Sequence, residues 1–368
     1  MTSSTSSSGR NSAVLLAALA GLSACGARQP TPEATGPVLR VALFPIENLS
    51  DSTIPAKALT AAVEAKIAAI GVEVVSGDIL SRFFREHRVR YTAGLDAETA
   101  RAAREELGVD GVLITTVETY STSGSPRFAM SMRLLSVDDP PVIRWVDGAW
   151  VAGDGSPGIL ALGILTSMDQ VEEKVLAQLV ASLEAFLAGK PVPEQCPSTG
   201  RAKPMTSFRS PGAEPGRHYS VAVLPFMNYT NRRSAGDLLA LRFVQQLSAS
   251  GRFTVTEPGV VRDQMLEYRV IMYGGVSLDT ARTLLSLLKA DVVIAGYVRR
   301  YQEGLGDASN TPKVTFTVIA LERKTERVLW QMTSSHEGMD GVFFYDAGRV
   351  ETASDLTCRM VRATLDQM

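Results

Sequence analysis

The chain has 368 residues, 45% of them apolar and 21% charged, with a formal net charge of −2. Length and composition are those of an ordinary globular protein with ample core material and room for two domains. The near-neutral balance excludes an overall field that would gather nucleic acid or an anionic membrane surface, so no nucleic-acid partner is expected.

Residues 1–24 read as a signal peptide. A polar start carrying Arg10 leads into the apolar run AVLLAALAGLSA at 13–24, too short for a comfortable membrane span. Leu22-Ser23-Ala24-Cys25 resembles the bacterial lipobox: a branched apolar residue, two small residues, then Cys. The resemblance implies acylation of the Cys25 thiol, cleavage before it and acylation of the new amino group. One acyl chain anchors only marginally, at roughly 0.8 kcal/mol per buried CH₂, whereas three would anchor essentially permanently. Gly26 and Ala27 follow rather than Asp, which by resemblance to Gram-negative lipoproteins implies the periplasmic face of the outer membrane. Residues 25–37, rich in Pro and Thr, read as a lipidated tether.

The rest is written twice. VALFPIENLS at 41–50 and VAVLPFMNYT at 221–230 both run strand, Pro, Asn, hydroxyl residue, with Pro225 180 residues after Pro45. A helical pattern follows each and stops at Gly71 or Gly251. Arg88-Val89 then matches Arg269-Val270, Asp110 matches Asp291 and Tyr120 matches Tyr301, all 181 apart. A single one-residue insertion relates the two blocks, which chance would not produce over such a length. Strand-like runs at 127–137 and 313–323 precede Trp145 and Trp330, and each copy closes on a helix, 168–189 or 353–368.

Each copy therefore predicts β-α-β-α-α-β, then β-β, then α. Strands alternating with helices should lie parallel through right-handed crossovers, and the last three should form an antiparallel meander. The expected fold is α/β: two tandem three-layer α-β-α domains at 38–190 and 219–368, each a mixed sheet of about five strands. Residues 191–218, rich in Pro, Ser and Gly, read as a linker. Cys196 lies in it and Cys358 in the last helix. A disulfide between them is open in an exported chain.

The pattern V-A-V-L-P-F-x-N-x-T, a helix, then LKADVVIAGYV and a hairpin ending near Trp resembles a set of periplasmic domains. They are the TolB N-terminal domain, CsgG and LpoB. The resemblance spans roughly 38–152 and 219–337 and implies a noncatalytic binding domain of the envelope.

The end of the first strand is where open α/β sheets often take ligands. Neither turn there has a glycine before its helix, so no phosphate cradle is expected. Pro45 and Pro225 remove an N–H donor and end the strand. Asn48 and Asn228 can hold the turn through their side chains, and Ser50 or Asp51, and Thr230 or Asn231, stand where a helix cap would. GDGSPG at 153–158 fits G-x-G-x-x-G, but the helix after it runs into the Pro-rich stretch rather than into a second parallel strand. Ser286 and Lys289 fit S-x-x-K without the companion motifs. His87, His218 and His336 lack metal-ligand or triad spacing. Arg299-Arg300 reads as an exposed strand end or an interaction patch. No cofactor, metal or catalytic residue is expected. The expected role is an acylated binding or assembly module that docks an envelope protein. The alternative is a subunit of a CsgG-like secretion or envelope-spanning ring, and a homo-oligomer is open.

Overall fold

The structure is a computed structural model that describes residues 39–155, 163–192, 196, 202–213, 216–270, 274–304, 310–342 and 348–368. Cys25, the signal peptide and the tether lie outside the described residues, as do the last three positions of GDGSPG.

In the first half, β1 (Arg40–Leu43) is followed across Pro45 by a two-residue strand, β2 (Glu47–Asn48). Then come α1 (Ala56–Ala69), β3 (Glu73–Val75), α2 (Gly77–Glu86) and α3 (Ala97–Ala102), which runs into a π-helical turn over Ala103–Leu107. The long strands β4 (Gly111–Ser121), β5 (Arg127–Ser136) and β6 (Ile143–Ala152) and the helix α4 (Met168–Leu187) complete it. The order is β3-β1-β4-β5-β6, with β1 parallel to β3 and β4, and β4 to β6 antiparallel.

The second half opens with β7 (Thr206–Arg209) and then repeats the plan. Its elements are β8 (Tyr219–Val223), β9 (Met227–Asn228), α5 (Ala235–Ala249), β10 (Phe253–Val255), α6 (Pro258–Glu267) and α7 (Leu278–Leu284). β11 (Val292–Gln302), β12 (Lys313–Glu322), β13 (Val328–Glu337) and α8 (Ala353–Leu365) follow. The order is β10-β8-β11-β12-β13-β7. The α/β class and the parallel-then-meander sheets are as the sequence predicts.

The repetition extends to detail. Arg88 and Arg269 both take the left-handed conformation, at φ 52° and 56°. Asp110 accepts a hydrogen bond from Arg40 N at 2.8 Å, and Asp291 from Ser220 N at 3.0 Å, tying β1 and β8 to the start of the next parallel strand. The β4–β5 register shifts at Glu118 and the β11–β12 register at Arg299, the same bulge in both halves.

Two expectations need correction. The stretch read as a linker is not bare. Thr206–Arg209 pairs antiparallel with β13, and Cys196 is buried and disulfide-bonded to Cys358 of α8. The helices also begin later than the turn residues suggested. The N-cap positions are Pro55 and Ser234, without side-chain caps, because Ser50 and Thr230 are used inside their turns.

Helices cover the sheets unequally. In the first half, α1 and α4 bury one face with Val63, Ile67, Val175 and Leu179 against Leu113, Met130 and Trp145. The helices α2 and α3 cover only the part of the other face near Ala42, Val112 and Leu135. The second half does the same with α5 and α8 on one face and α6 and α7 on part of the other. Residues 38–368 nonetheless form one compact unit, because α5 and α8 also close the rest of the first sheet.

Candidate functional site

Charged and amide side chains sit where α5 and α8 meet the first sheet. The bulge in β4 turns Glu118 out of the strand's alternation. It meets Arg242 of α5 at 2.5 Å and Ser354 Oγ of α8 at 2.9 Å. Arg242 stacks over Trp150 of β6, 5.0 Å from the ring centre, and donates to Gln245. Gln245 in turn donates to Asp147 at 3.3 Å, which also accepts from Ser182 at 2.5 Å. Burial raises the Asp147 carboxyl above the usual range despite these donors. Glu118 and Arg242 are almost wholly buried, so each needs the other: an unpaired buried charge costs several kcal/mol.

A second cluster lies where the half-one turn meets α5 and α6. Glu47, Tyr91 and Leu49 from the first half face Asp237, Leu241, Val244, Pro225 and Arg262 from the second across a cavity of about 200 Å³. Glu47 accepts from Thr116 Oγ1 at 3.0 Å, and burial pushes its carboxyl up to about 7. Arg262 lies over the Tyr91 ring at 4.3 Å, and burial raises the Tyr91 hydroxyl. Beside them, Glu257 is fully buried. It accepts from the backbone N–H groups of Gly259, Val260 and, across the seam, Leu95. Burial pushes it up to about 7 although Arg133 stands 4.0 Å away. Here the backbones themselves touch: a Cβ on Gly94 would lie 2.7 Å from Gly259 Cα. Glu47 and Glu257 thus have hydroxyl and backbone partners, and their protonation is coupled to closure of the seam.

The turn residues singled out in the sequence border this seam. Asn48 Oδ1 accepts from Ser50 N at 3.0 Å, and its amide donates to Ser52 O at 2.7 Å. Asn228 accepts from Thr230 N at 2.9 Å and donates to Arg232 O at 2.6 Å. Pro45 separates β1 from β2, and Pro225 separates β8 from β9 and lines the cavity. The two turns meet, since Asp51 accepts from Arg233 N at 3.1 Å. Arg232 reaches Glu118 O and lies 3.6 Å from Glu303, which accepts from Thr119 at 3.1 Å.

The other residues that the motifs point to are dispersed in the fold. Asp154 of GDGSPG is held by buried Arg127 at 3.2 Å. His87 pairs with Glu106, His218 with Thr254, and His336 with Asp340. Among the described residues no three His, Cys, Asp or Glu side chains converge as metal ligands. Ser286 Oγ donates to Thr283 O.

The second sheet carries a face that matches the closed one. Leu49, packed against the second half, corresponds to Tyr229, which is 65% exposed. Glu118 corresponds to the other bulge residue, Arg299, exposed and 5.0 Å over the Tyr297 ring. Around these lie hydroxyl pairs, Thr315–Ser335 at 2.8 Å and Thr317–Thr333 at 2.9 Å. The strand β7 widens the face with Phe208, opposite Gln331 and half exposed. Sequence reasoning noticed Arg299 but not the seam. The signal for the seam was a lone charge inside an apolar run, as in VLITTVETY and LALRFVQQL, where the other copy holds a different residue.

No family model and no curated protein matches the chain. Solved structures give likenesses of limited extent. The PelC dodecamer from Paraburkholderia phytofirmans is 19% identical, with a TM-score of 0.27 over 43% of this chain and 94% of that one. Lipoprotein GNA1162 from Neisseria meningitidis is 18% identical, with a TM-score of 0.28 over 39% and 98%. The LpoB C-terminal domain from Salmonella enterica is 19% identical, with a TM-score of 0.27 over 32% and 87%.

Proposed function

We propose that the chain is a noncatalytic envelope lipoprotein, anchored through Cys25 on the periplasmic face of the outer membrane, that binds or assembles protein partners. The open face around Tyr229, Tyr297 and Arg299 carries this reading. Its counterpart on the first sheet is a docking surface in use, because it takes the helices α5 and α8. An exposed tyrosine, Tyr229, with the half-buried Tyr297 ring beside it and the exposed Arg299 at the sheet, offers the side-chain types that anchor protein interfaces. No helix among the described residues is long and apolar enough to cross a membrane, and the lipobox supplies the attachment. The test uses the full-length chain in cells with a photoreactive residue in place of Tyr297. A protein adduct is expected on illumination, and Cys25→Ser should move the chain from the membrane fraction to the soluble one. No adduct of any kind, or unchanged sedimentation, overturns the reading.

A further inference from the structure

We infer that the occupant of the open face is a second copy of this chain, which docks its own α1 and α4 there and so repeats the seam between molecules. The inference rests on the binding role proposed above and names the partner.

The seam inside the chain is head-to-tail. The first half gives a sheet face and the second half a helix pair, although the halves have the same fold. Such an interface uses different surfaces on two like units, so each end of the pair keeps one surface unused. On the second half that surface is the open sheet face. On the first half it is the outer side of α1 and α4.

The unused helix surface has the required shape. Among the α5 positions that line the seam, Asp237, Leu241, Gln245 and Ser248 run along the helix as one stripe. With the offset of 180 they correspond to Lys57, Ala61, Ala65 and Ala68 of α1, and all four are exposed. Three alanines make a flat surface on which Tyr229 and Tyr297 can lie.

The charges also fit, by reversal. In the seam, the bulge residue Glu118 meets Arg242 and Ser354. In the second sheet the bulge residue is Arg299. At the α1 place of Arg242 stands Ala62. Ser354 is the second residue of α8, two after its N-cap Thr352. The same place in α4, two after Ser167, is Asp169, and it is exposed. The acid has moved from sheet to helix and the base from helix to sheet, so Arg299 of one molecule faces Asp169 of the next. Lys313 and Arg300 add positive charge to the sheet side, though each already pairs with Glu337.

Self-association of the full-length chain in detergent, followed by light scattering over a wide concentration range, tests this. The wild type is expected to form species larger than two chains, since a head-to-tail contact closes into a ring or runs on. Arg299→Asp and Asp169→Arg should each weaken association at least about tenfold by setting like charges together. The double variant should regain most of it. Both single variants change exposed side chains, and an unchanged circular dichroism melt checks that they still fold. A chain that stays monomeric throughout, or a double variant no better than the singles, overturns the inference. If the Tyr297 photoadduct then contains a different protein, the binding role stands and only the self-docking falls.

Discussion

Burial holds the carboxyls of Glu47 and Glu257 protonated up to about pH 7, against the pull of Arg133 on both. In the unfolded chain each releases its proton near the ordinary value of 4.5. Between those values the folded protein holds protons that the unfolded chain has lost. Stability is therefore greatest below the unfolded value and falls as pH rises through 7. Asp147 and Asp237, also raised by burial, act in the same direction. Asp291 and Asp138 have the opposite sign. Hydrogen bonds from Ser220 and Ser136 hold them below the usual range, so their contribution is lost only in acid. A shift of this size makes the charged form of Glu47 cost about 3 kcal/mol. Urea midpoints should fall between about pH 5 and about pH 8 for the wild type. Glu47→Gln keeps an acceptor for Thr116 and has nothing to titrate, so its midpoint should fall less and exceed the wild type's at the upper end. Parallel curves for the two proteins would remove Glu47 from this role.

At the level of elements, much was legible because the chain repeats. The strand–Pro–Asn turns, the Arg88 and Arg269 positions and the paired tryptophans recur at a constant offset, and the structure repeats them down to the bulge. Periodicity also showed which side of the closing helices α4 and α8 is apolar. It could not show what covers a polar side, since that depends on which distant segment arrives there. Arg242 and Gln245 in LALRFVQQL are polar residues of such a side, and they are buried against β6. The strand β7 escaped notice for another reason: four residues amid Pro and Gly give no periodic signal, and pairing with β13 makes the strand. The disulfide depends equally on tertiary structure. Cys196 and Cys358 are 162 positions apart and bring their Cα atoms to 5.8 Å. A cross-link over so long a loop restricts the unfolded chain, with a stabilisation of about 2–5 kcal/mol. Replacing both cysteines by serine should lower the urea midpoint accordingly, and adding reductant to the wild type should reproduce the loss. A wild-type midpoint indifferent to reductant would mean that the bond adds nothing to stability.

Over the whole molecule, the shared helices decide how the two halves unfold. Each half has its own apolar clusters, so each could in principle be an independent unit. The first sheet, however, leaves Glu118, Arg133 and the Trp150 edge to be closed by the second half. Opening the seam strands Glu118 and Arg133 on the first half and Arg242 and Glu257 on the second. Those groups then regain water, while Leu49 and Ile143 lose their packing against the second core. The backbone bridge between Val142 and Thr256 and the Gly94–Gly259 contact also open. These couplings favour one cooperative transition over two. The three tryptophans stand where they can test this. Trp145 is buried in the first core, Trp330 beside Tyr219 in the second, and Trp150 lies under Arg242 at the seam. Three single-tryptophan variants, with Phe at the other two positions, should each give one unfolding curve by fluorescence that coincides with circular dichroism of the same protein. Added to each, Arg242→Ala leaves Glu118 buried without its partner and should lower stability by about 3–5 kcal/mol. The loss should be the same at Trp145 and Trp330 as at Trp150. A loss seen only by Trp150, or separate midpoints for Trp145 and Trp330, would mean that the halves unfold independently and the seam is a loose contact.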